Sequence, residues 1–600
     1  MNKEKIKNVI AISIISLLVL GVVGVSYAYF RLQIEGSGND IVLDTGDLKL
    51  RYTDGKEITL SNAMPGDSVS KTVTVENIGT RDVTYQLNWS DLINTIENYE
   101  LHVTLECKSY TGYGTSNQTE SGTCNKIYRA VPISDTSTSA LIKNNISIKA
   151  GITHEYNITV TFDDKDYDQS SNMKKSFSGK VDIQEYSGPK PVYCIYDGTP
   201  SNGDTYEKGI YTYTYNSTSK TWRVQLTDKD STEPITEVPC TFVNQFPIIS
   251  MSNMFSDSKS TSIDVSNFNT NNITSMYKMF SNASATEIKG LDSFDTSNVI
   301  DMSQMFYNNK ATSLNLNSFD TSKVTSMYMM FNGSKVTSLD LSSFDTSKVT
   351  NMSYMFSSSS ATEIKGLENF DTSNVKNMGF MFASLKVSVL NVSGFDTSNV
   401  NNMALMFAST AVNEIKGLEN FDTSKVTNMN RMFDGCTAEI LDVSSFDTRN
   451  LTSMNAMFNR TSSVKIIGLE NFDTSNVTNM NGMFSNSKVT ELNLSSFNTS
   501  NVINMDYMFY GCSAIESLDV SSFNTSNVTN MDMMFSSCYK LKTIYVSDNF
   551  VTDSVTSTAA LFFNDYALVG GNGTKFASNK TSITYARIDT ADTPGYFTKK

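Results

Sequence analysis

Methionine is the residue whose number and spacing most suggest chemistry in this chain. It occupies 29 of 600 positions, and all but Met1, Met64 and Met173 fall between residues 251 and 534, mostly in pairs written Met-x-x-Met-Phe. Thioether clusters can coordinate copper(I). No histidine accompanies these pairs, however; the chain has two, His102 and His154, and both lie far upstream. The second Met of every pair also precedes a bulky Phe. Unbranched thioethers pack adaptably against aromatic edges, so the pairs are read as core filling. The Asp of the recurring Phe-Asp-Thr raises the question of a calcium ladder. Asn replaces it at Asn269, Asn498 and Asn524, which suits a turn hydrogen bond better than a charge-dependent metal site.

The other reactive side chains give no catalytic constellation. Cys107 and Cys124 flank a Gly/Ser/Thr-rich loop, and Cys194 and Cys240 bracket the next segment; the sequence leaves open whether either pair is bridged. Cys436, Cys512 and Cys538 each stand three residues after the Phe of a Met-Phe pair and have no neighbouring His, so a catalytic thiol is not expected. His154-Glu155 stands alone, without the His-Glu-x-x-His run of a zinc protease. The expectation is a protein that is not an enzyme, with no catalytic residue, cofactor or metal.

The elements that position these residues follow from a repeat. Aligned on the Phe of Phe-Asp/Asn-Thr, the positions are Phe268, Phe294, Phe319, Phe344, Phe370, Phe395, Phe421, Phe446, Phe472, Phe497 and Phe523, with steps of 25 or 26 residues. The distance to the Phe of the following Met-Phe is always 12, so all length variation lies in the other half of the unit. Val299, Met302, Met305 and Phe306 fall at i, i+3, i+6 and i+7, which predicts a two-turn helix, with Thr296 and Ser297 as its N-cap. Leu339 and Leu341 alternate with Asp340 and Ser342, which predicts a short strand. Four of the five longer units carry an extra glycine, at Gly290, Gly366, Gly417 or Gly468, read as a bulge, while the step into Phe523 lacks it and its extra residue is placed in the loop. Neither element is stable alone; stacked, they bury one another. The fold class expected is an α/β leucine-rich-repeat-like solenoid, with a short strand and a short helix per coil, preceded by an all-β sandwich.

Residues 247–562 resemble the repeats of BspA-like bacterial surface proteins, relatives of leucine-rich repeats. The resemblance rests on Phe-Asp-Thr-Ser-Asn-Val-Thr-Asn-Met, then Met-Phe, then a Leu-x-Leu strand. It implies a solenoid displayed on a bacterial surface, with roles in adhesion to host proteins or other cells. Residues 29–186 contain Pro65-Gly66-Asp67 followed by Lys-Thr-Val-Thr-Val-Glu-Asn-Ile-Gly-Thr, and resemble the exported TasA/camelysin type of β-sandwich, whose members include matrix fibre subunits. Alternation places strands there at 70–77, 82–88, 101–107, 145–149, 155–162 and 176–185. Ser187-Gly188-Pro189-Lys190-Pro191 reads as a linker. Residues 187–246 then form the linker and a β-rich N-terminal cap, whose Tyr-Thr-Tyr-Thr-Tyr run predicts a hairpin turning near Asn216 to Lys220. Residues 563–600 form a C-terminal cap.

Compartment and partners complete the reading. Three lysines lead into a 17-residue apolar run and then Ser26-Tyr27-Ala28, so residues 1–28 are a signal peptide cut after Ala28 or a retained membrane anchor. Either way the N-terminal segment enters the membrane at least transiently, and the protein is secreted or held at the cell surface. A net charge of −15 without a basic run argues against nucleic acid as a partner. The leading expectation is a binding protein for a protein or glycan ligand on host or neighbouring cells. The alternative is a structural envelope or biofilm fibre that self-assembles through the sandwich. Two candidate ligand surfaces follow from the repeat. One is the outward column of the strand, Asp264, Lys289, Asn315, Asp340, Lys365, Asn391, Lys416, Asp442, Ile467, Asn493 and Asp519. The other is the set of tyrosines beside the core methionines, Tyr277, Tyr328, Tyr354 and Tyr507.

Overall fold

The computed structural model describes residues 40–600 apart from 45–48, 54–57, 81, 97–99, 165–168, 186–188, 190, 245 and 558. The N-terminal apolar run and the cleavage site expected after Ala28 lie outside the described residues. Among the described residues no helix is long and apolar enough to cross a membrane. The described residues divide into two compact units: those within 40–96, Thr104–Lys126 and 132–185 form one, and those within 100–103, Ile127–Val131 and 189–600 the other.

The first unit is built on antiparallel strands. They are β1 (Asp40–Asp44), β2 (Lys49–Thr53), β3 (Ile58–Leu60), β4 (Ser68–Asn77), β5 (Val83–Asn94), β6 (Leu101–Thr111), β7 (Thr119–Ala130), β8 (Ser134–Ile148), β9 (Ile152–Phe162) and β10 (Phe177–Glu185). They form one sheet in the order β1-β2-β4-β9-β6-β7 and another in the order β3-β10-β5-β8. Alternation in β4 buries Val73 and Val75 while Ser68, Ser70 and Thr72 point outward. Polar contacts cross between the sheets inside the core. The Tyr52 hydroxyl donates to the Val181 carbonyl at 2.6 Å, and the Tyr85 hydroxyl lies 3.0 Å from His154 Nδ1 and 2.7 Å from the Tyr156 hydroxyl. Burial holds the His154 ring down at about 4, so the imidazole is neutral near pH 7. Cys107 and Cys124 are joined by a disulfide.

In the second unit Tyr211–Asn216 and Thr221–Leu226 pair as a hairpin whose tip is held by Asn216 Oδ1, which accepts from the Thr218 and Ser219 amides. Trp222 and the disulfide Cys194–Cys240 belong to a core continuous with the first coil through Ile248, Met251, Met254 and Phe255. From there the chain winds as a β-solenoid. Most coils add a three-residue strand, and these pair in parallel register mostly two by two, as Leu339 opposite Ile364 and Leu390 opposite Ile415. At the far end Phe597–Lys599 pairs with Thr543–Val546, and the Phe597 ring packs on Phe535, Phe550 and Phe562.

The expected helix is not there, so the fold is not an α/β leucine-rich-repeat-like solenoid. Among the described residues the only helical elements are 3-10 turns of three residues. Met302–Asn309 shows why. The amides of Met305, Tyr307 and Asn309 donate to carbonyls three residues back, to Met302, Gln304 and Phe306. The amides between them, on Gln304, Phe306 and Asn308, donate instead to Tyr328, Met330 and Asn332 of the next coil at 2.7 to 2.9 Å. A helix would use every amide internally; here half of them join coils. Gln304 and Asn308 reach this geometry at φ of 58° and 49°, each the third residue of a four-residue turn. Two successive turns place Met302, Met305 and Phe306 inward at the same spacing a helix would, so the apolar pattern does not distinguish the two.

Two further expectations are corrected by the same principle. Thr296 caps no helix: its hydroxyl donates to the Asp320 carbonyl of the next coil at 2.9 Å. Ten threonines from Thr270 to Thr499 repeat that bond at 2.8 to 3.0 Å. The Asp of each Phe-Asp-Thr is a turn residue, as Asp295 Oδ1 accepting from the Ser297 amide at 3.0 Å. The added glycines make no bulge, because the strands stay in register. Gly366 follows its strand at φ 80°, and a Cβ on it would stand 2.5 Å from Ser342 Cα of the preceding coil. Only glycine has both the backbone freedom and the room.

The core is aromatic and thioether throughout. Phe rings of the Met-Phe pairs stack from Phe255 to Phe562 at 5.4 to 5.9 Å between centroids. The methionines of each Met-x-x-Met from Met276 to Met534 are fully buried beside them.

Candidate binding face of the solenoid

The two columns expected to face a ligand have different fates. In the strand column the acidic and amide members are engaged in local turns. Asp264 Oδ1 accepts from the Ser266 amide and hydroxyl at 2.9 and 2.6 Å, and the hydrogen bonds from Ser266 lower its pKa. Asp340, Asn391 and Asn493 repeat this pair of bonds with Ser342, Ser393 and Ser495. Asp442 and Asp519 accept from the amides of Ser444 and Ser521, and Asp519 also meets Lys600. Asn315 contacts Asp292 at 3.3 Å. Ile467 sits half-buried where its neighbours are polar. Lys289, Lys365 and Lys416 are exposed, but Lys289 and Lys365 lie 3.4 and 3.8 Å from Glu287 and Glu363 of their own strands. Most of this column's polarity is spent on closing coils.

The tyrosines occupy two positions of the outward turn, not one. In Met-x-x-Met, Tyr277 and Tyr328 take the first intervening place and Tyr354 and Tyr507 the second, at φ of 60° and 56° for the latter two. Three of the four nonetheless lie in a common strip. Gln304 Nε2 donates to the Tyr277 hydroxyl at 3.4 Å, and the Tyr328 and Tyr354 rings meet edge to face at 6.2 Å. Tyr354 then stacks on Phe380 with centroids 4.2 Å apart. Tyr507 stands six coils beyond Tyr354, paired edge to face with Tyr510.

The sequence reading missed Met329, Phe380 and Leu405, which continue the Tyr354 position in adjacent coils at φ of 55°, 60° and 53°. The signal was available in the alignment. The second place of Met-x-x-Met reads Lys278, Gln304, Met329, Tyr354, Phe380, Leu405, Arg431, with four bulky apolar residues in succession. Taking the segment for a helix hid the column, because a helix does not present that place outward in the same line.

One cluster elsewhere has metal-ligand character. Atoms of Cys107, Cys124 and His154 lie within 4.8 Å of one another. Its two sulfurs are bonded as a disulfide, which leaves no thiolate to ligate. Cys436, Cys512 and Cys538 are free and buried, and burial pushes the thiols of Cys436 and Cys512 up to about 11 and 12. Those values describe inert core thiols.

Neither curated proteins nor solved structures yielded a match to the chain. Residues 282–384, 358–467 and 452–570 each match the family model described as Mycoplasma protein of unknown function, DUF285, so the solenoid from 282 to 570 is similar to the repeats of that family.

Proposed function

We propose that the protein is an exported, surface-displayed binding protein in which the solenoid presents its turn face to a protein or glycan ligand on host or neighbouring cells, with no catalytic role. The observation that carries this reading is the contrast along that face. Inward places are uniform from coil to coil, Met, Met and Phe at each turn, while the outward places between them vary and gather aromatic rings at Tyr277, Tyr328, Tyr354 and Phe380. Aromatic side chains on an otherwise polar surface are the usual anchors of recognition.

The similarity to DUF285 repeats and the resemblance to BspA-like surface proteins agree with display on a bacterial surface. Disulfides Cys107–Cys124 and Cys194–Cys240 suit an oxidising compartment outside the cytoplasm. The apolar segment at residues 9–25 suits export or anchoring. Replacing Tyr277, Tyr328, Tyr354 and Tyr507 together by Ser tests the reading. Attachment to cells or to purified surface proteins should fall; unchanged attachment removes this face as the ligand site.

A further inference from the structure

Three neighbouring strands of the first unit, β9, β6 and β7, each bring one soft-metal ligand to the same place. His154 stands on β9, Cys107 on β6 and Cys124 on β7. Alternation turns Val103, Leu105 and Cys107 of β6 to the core, and His154, Tyr156 and Ile158 of β9 likewise. The ring and the two sulfurs therefore meet on one face, with one atom of each within 4.8 Å of the others. Among the described residues no other trio of His, Cys, Asp or Glu side chains lies so close. The chain has only two histidines, and one of them stands against a disulfide.

Packing alone does not ask for an imidazole here. The inward places nearby are filled by Val103, Leu105, Ile158 and Val160, and an apolar side chain at position 154 would avoid the cost of burying a polar ring. Instead the ring is held from behind. The Tyr85 hydroxyl lies 3.0 Å from Nδ1 and 2.7 Å from the Tyr156 hydroxyl, which is how an outer contact orients a ligating imidazole. The Cα atoms of Cys107 and Cys124 are 5.1 Å apart, so rotation about the Cα–Cβ bonds can part the sulfurs while the strands stay in place. With metal–sulfur bonds of about 2.3 Å and metal–nitrogen bonds of about 2.0 Å, two donors on one ion stand at most about 4.6 Å apart. The trio is already nearly that compact.

We propose that the Cys107–Cys124 disulfide masks a copper(I) site that reduction opens, in which the two thiolates and the His154 imidazole hold the ion. The reductant is a dithiol. One of its thiolates attacks the Cys124 sulfur, which is half-buried where Cys107 is buried; the bond between the cysteines breaks and Cys107 leaves as a thiolate. The second thiol of the reductant, deprotonated, then displaces Cys124 from the mixed disulfide. Two electrons have passed to the protein, and the reductant closes to its own disulfide. Copper(I) replaces the proton of whichever thiol has taken one up. Soft thiolates favour copper(I), and a set of three donors suits it, whereas a closed zinc site takes four. The same reducing conditions keep the copper cuprous, so one event opens the site and preserves the ion that fills it.

The full chain, reduced with a water-soluble phosphine and desalted without oxygen, should take up one copper(I) per chain in competition with bicinchoninate, and the unreduced chain none. Cys107→Ser combined with Cys124→Ser should abolish uptake while leaving Cys194, Cys240 and the three free cysteines in place. His154→Gln should weaken it at least about tenfold, since loss of an outer contact alone costs that much. Copper K-edge absorption of the loaded, unsubstituted chain should show two sulfur neighbours and one nitrogen, a reading that does not depend on any variant folding. No uptake after reduction, equal uptake without it, uptake that survives the loss of both cysteines, or a shell of sulfur alone overturns the proposal. Displacement of the copper by an equal concentration of zinc(II) overturns it too, because the reduced site would then be a zinc site.

Discussion

Thr296 and Asp320 hold each other across adjacent coils: the Thr296 hydroxyl donates to the Asp320 carbonyl at 2.9 Å and accepts from the Asp320 amide at 2.7 Å. One buried side chain thereby satisfies both backbone groups of a residue 24 positions on. The same reciprocal bracket joins Thr423 to Asp447 and, through Asn524, Thr499 to its neighbour. It explains why threonine never varies in Phe-Asp/Asn-Thr while the residue before it alternates between Asp and Asn.

Thr423→Val keeps the shape of the buried side chain and leaves the amide and carbonyl of half-buried Asp447 without these partners. The expected loss is about 1–3 kcal/mol, with Thr423→Ser costing less because the hydroxyl remains. Denaturant unfolding of the two variants checks the order.

Met355→Leu should be tolerated within about 1.5 kcal/mol, since it preserves apolar volume. Phe382→Ala, which empties a place in the stacked column between Phe356 and Phe407, should cost about 3–5 kcal/mol. Denaturant midpoints of the two variants test whether the methionines act as filler, because a metal-supported coil would lose most with the thioether.

Gly366→Ala combines positive φ with a Cβ only 2.5 Å from Ser342 Cα. It should destabilise well beyond the roughly 1 kcal/mol of backbone strain alone. Gly573→Ala is the control: its φ is 95°, but nothing lies within 4 Å of the added Cβ. A comparable loss at both sites would refute close packing of the coils at Gly366.

Stability should depend on pH at two places with opposite sign. Burial raises the Asp565 carboxyl to about 8, and its Oδ2 has no hydrogen-bond partner. The folded state thus holds a proton that the unfolded chain releases near 4. Its stabilising contribution is complete below about pH 4 and is lost as pH rises through 8. Asp565→Asn should flatten that loss in thermal melts between pH 5 and pH 9. His154, held at about 4, behaves in the other direction: its contribution is complete above about pH 6.5 and is lost as pH falls through 4. Tryptophan fluorescence of Trp89 during acid titration, compared with His154→Gln, reads that change in the first unit.

Inward-facing residues were legible because burial selects for composition and period, and both survive in a linear string. Met302, Met305, Phe306 and Phe319 were placed in the core on spacing alone, and all four are buried. The register of the short strands, as Leu339 against Ile364, followed from the constant repeat. The strand column was less legible. Asp340 looked free for a ligand, and only the fold shows its carboxylate occupied by Ser342.

What the sequence by itself determined is the repeat, its step of 25 or 26 residues, the 12-residue half that never changes length and the residues that fill the core. Tertiary structure decided the backbone of that half. Periodicity records which side chains point inward, but not where each amide finds its acceptor. In a lone segment Met302–Asn309 could close its hydrogen bonds as a helix. In the stack, every second amide meets a carbonyl of the next coil at 2.7 to 2.9 Å, and a bond to a neighbour that is already ordered displaces the local one.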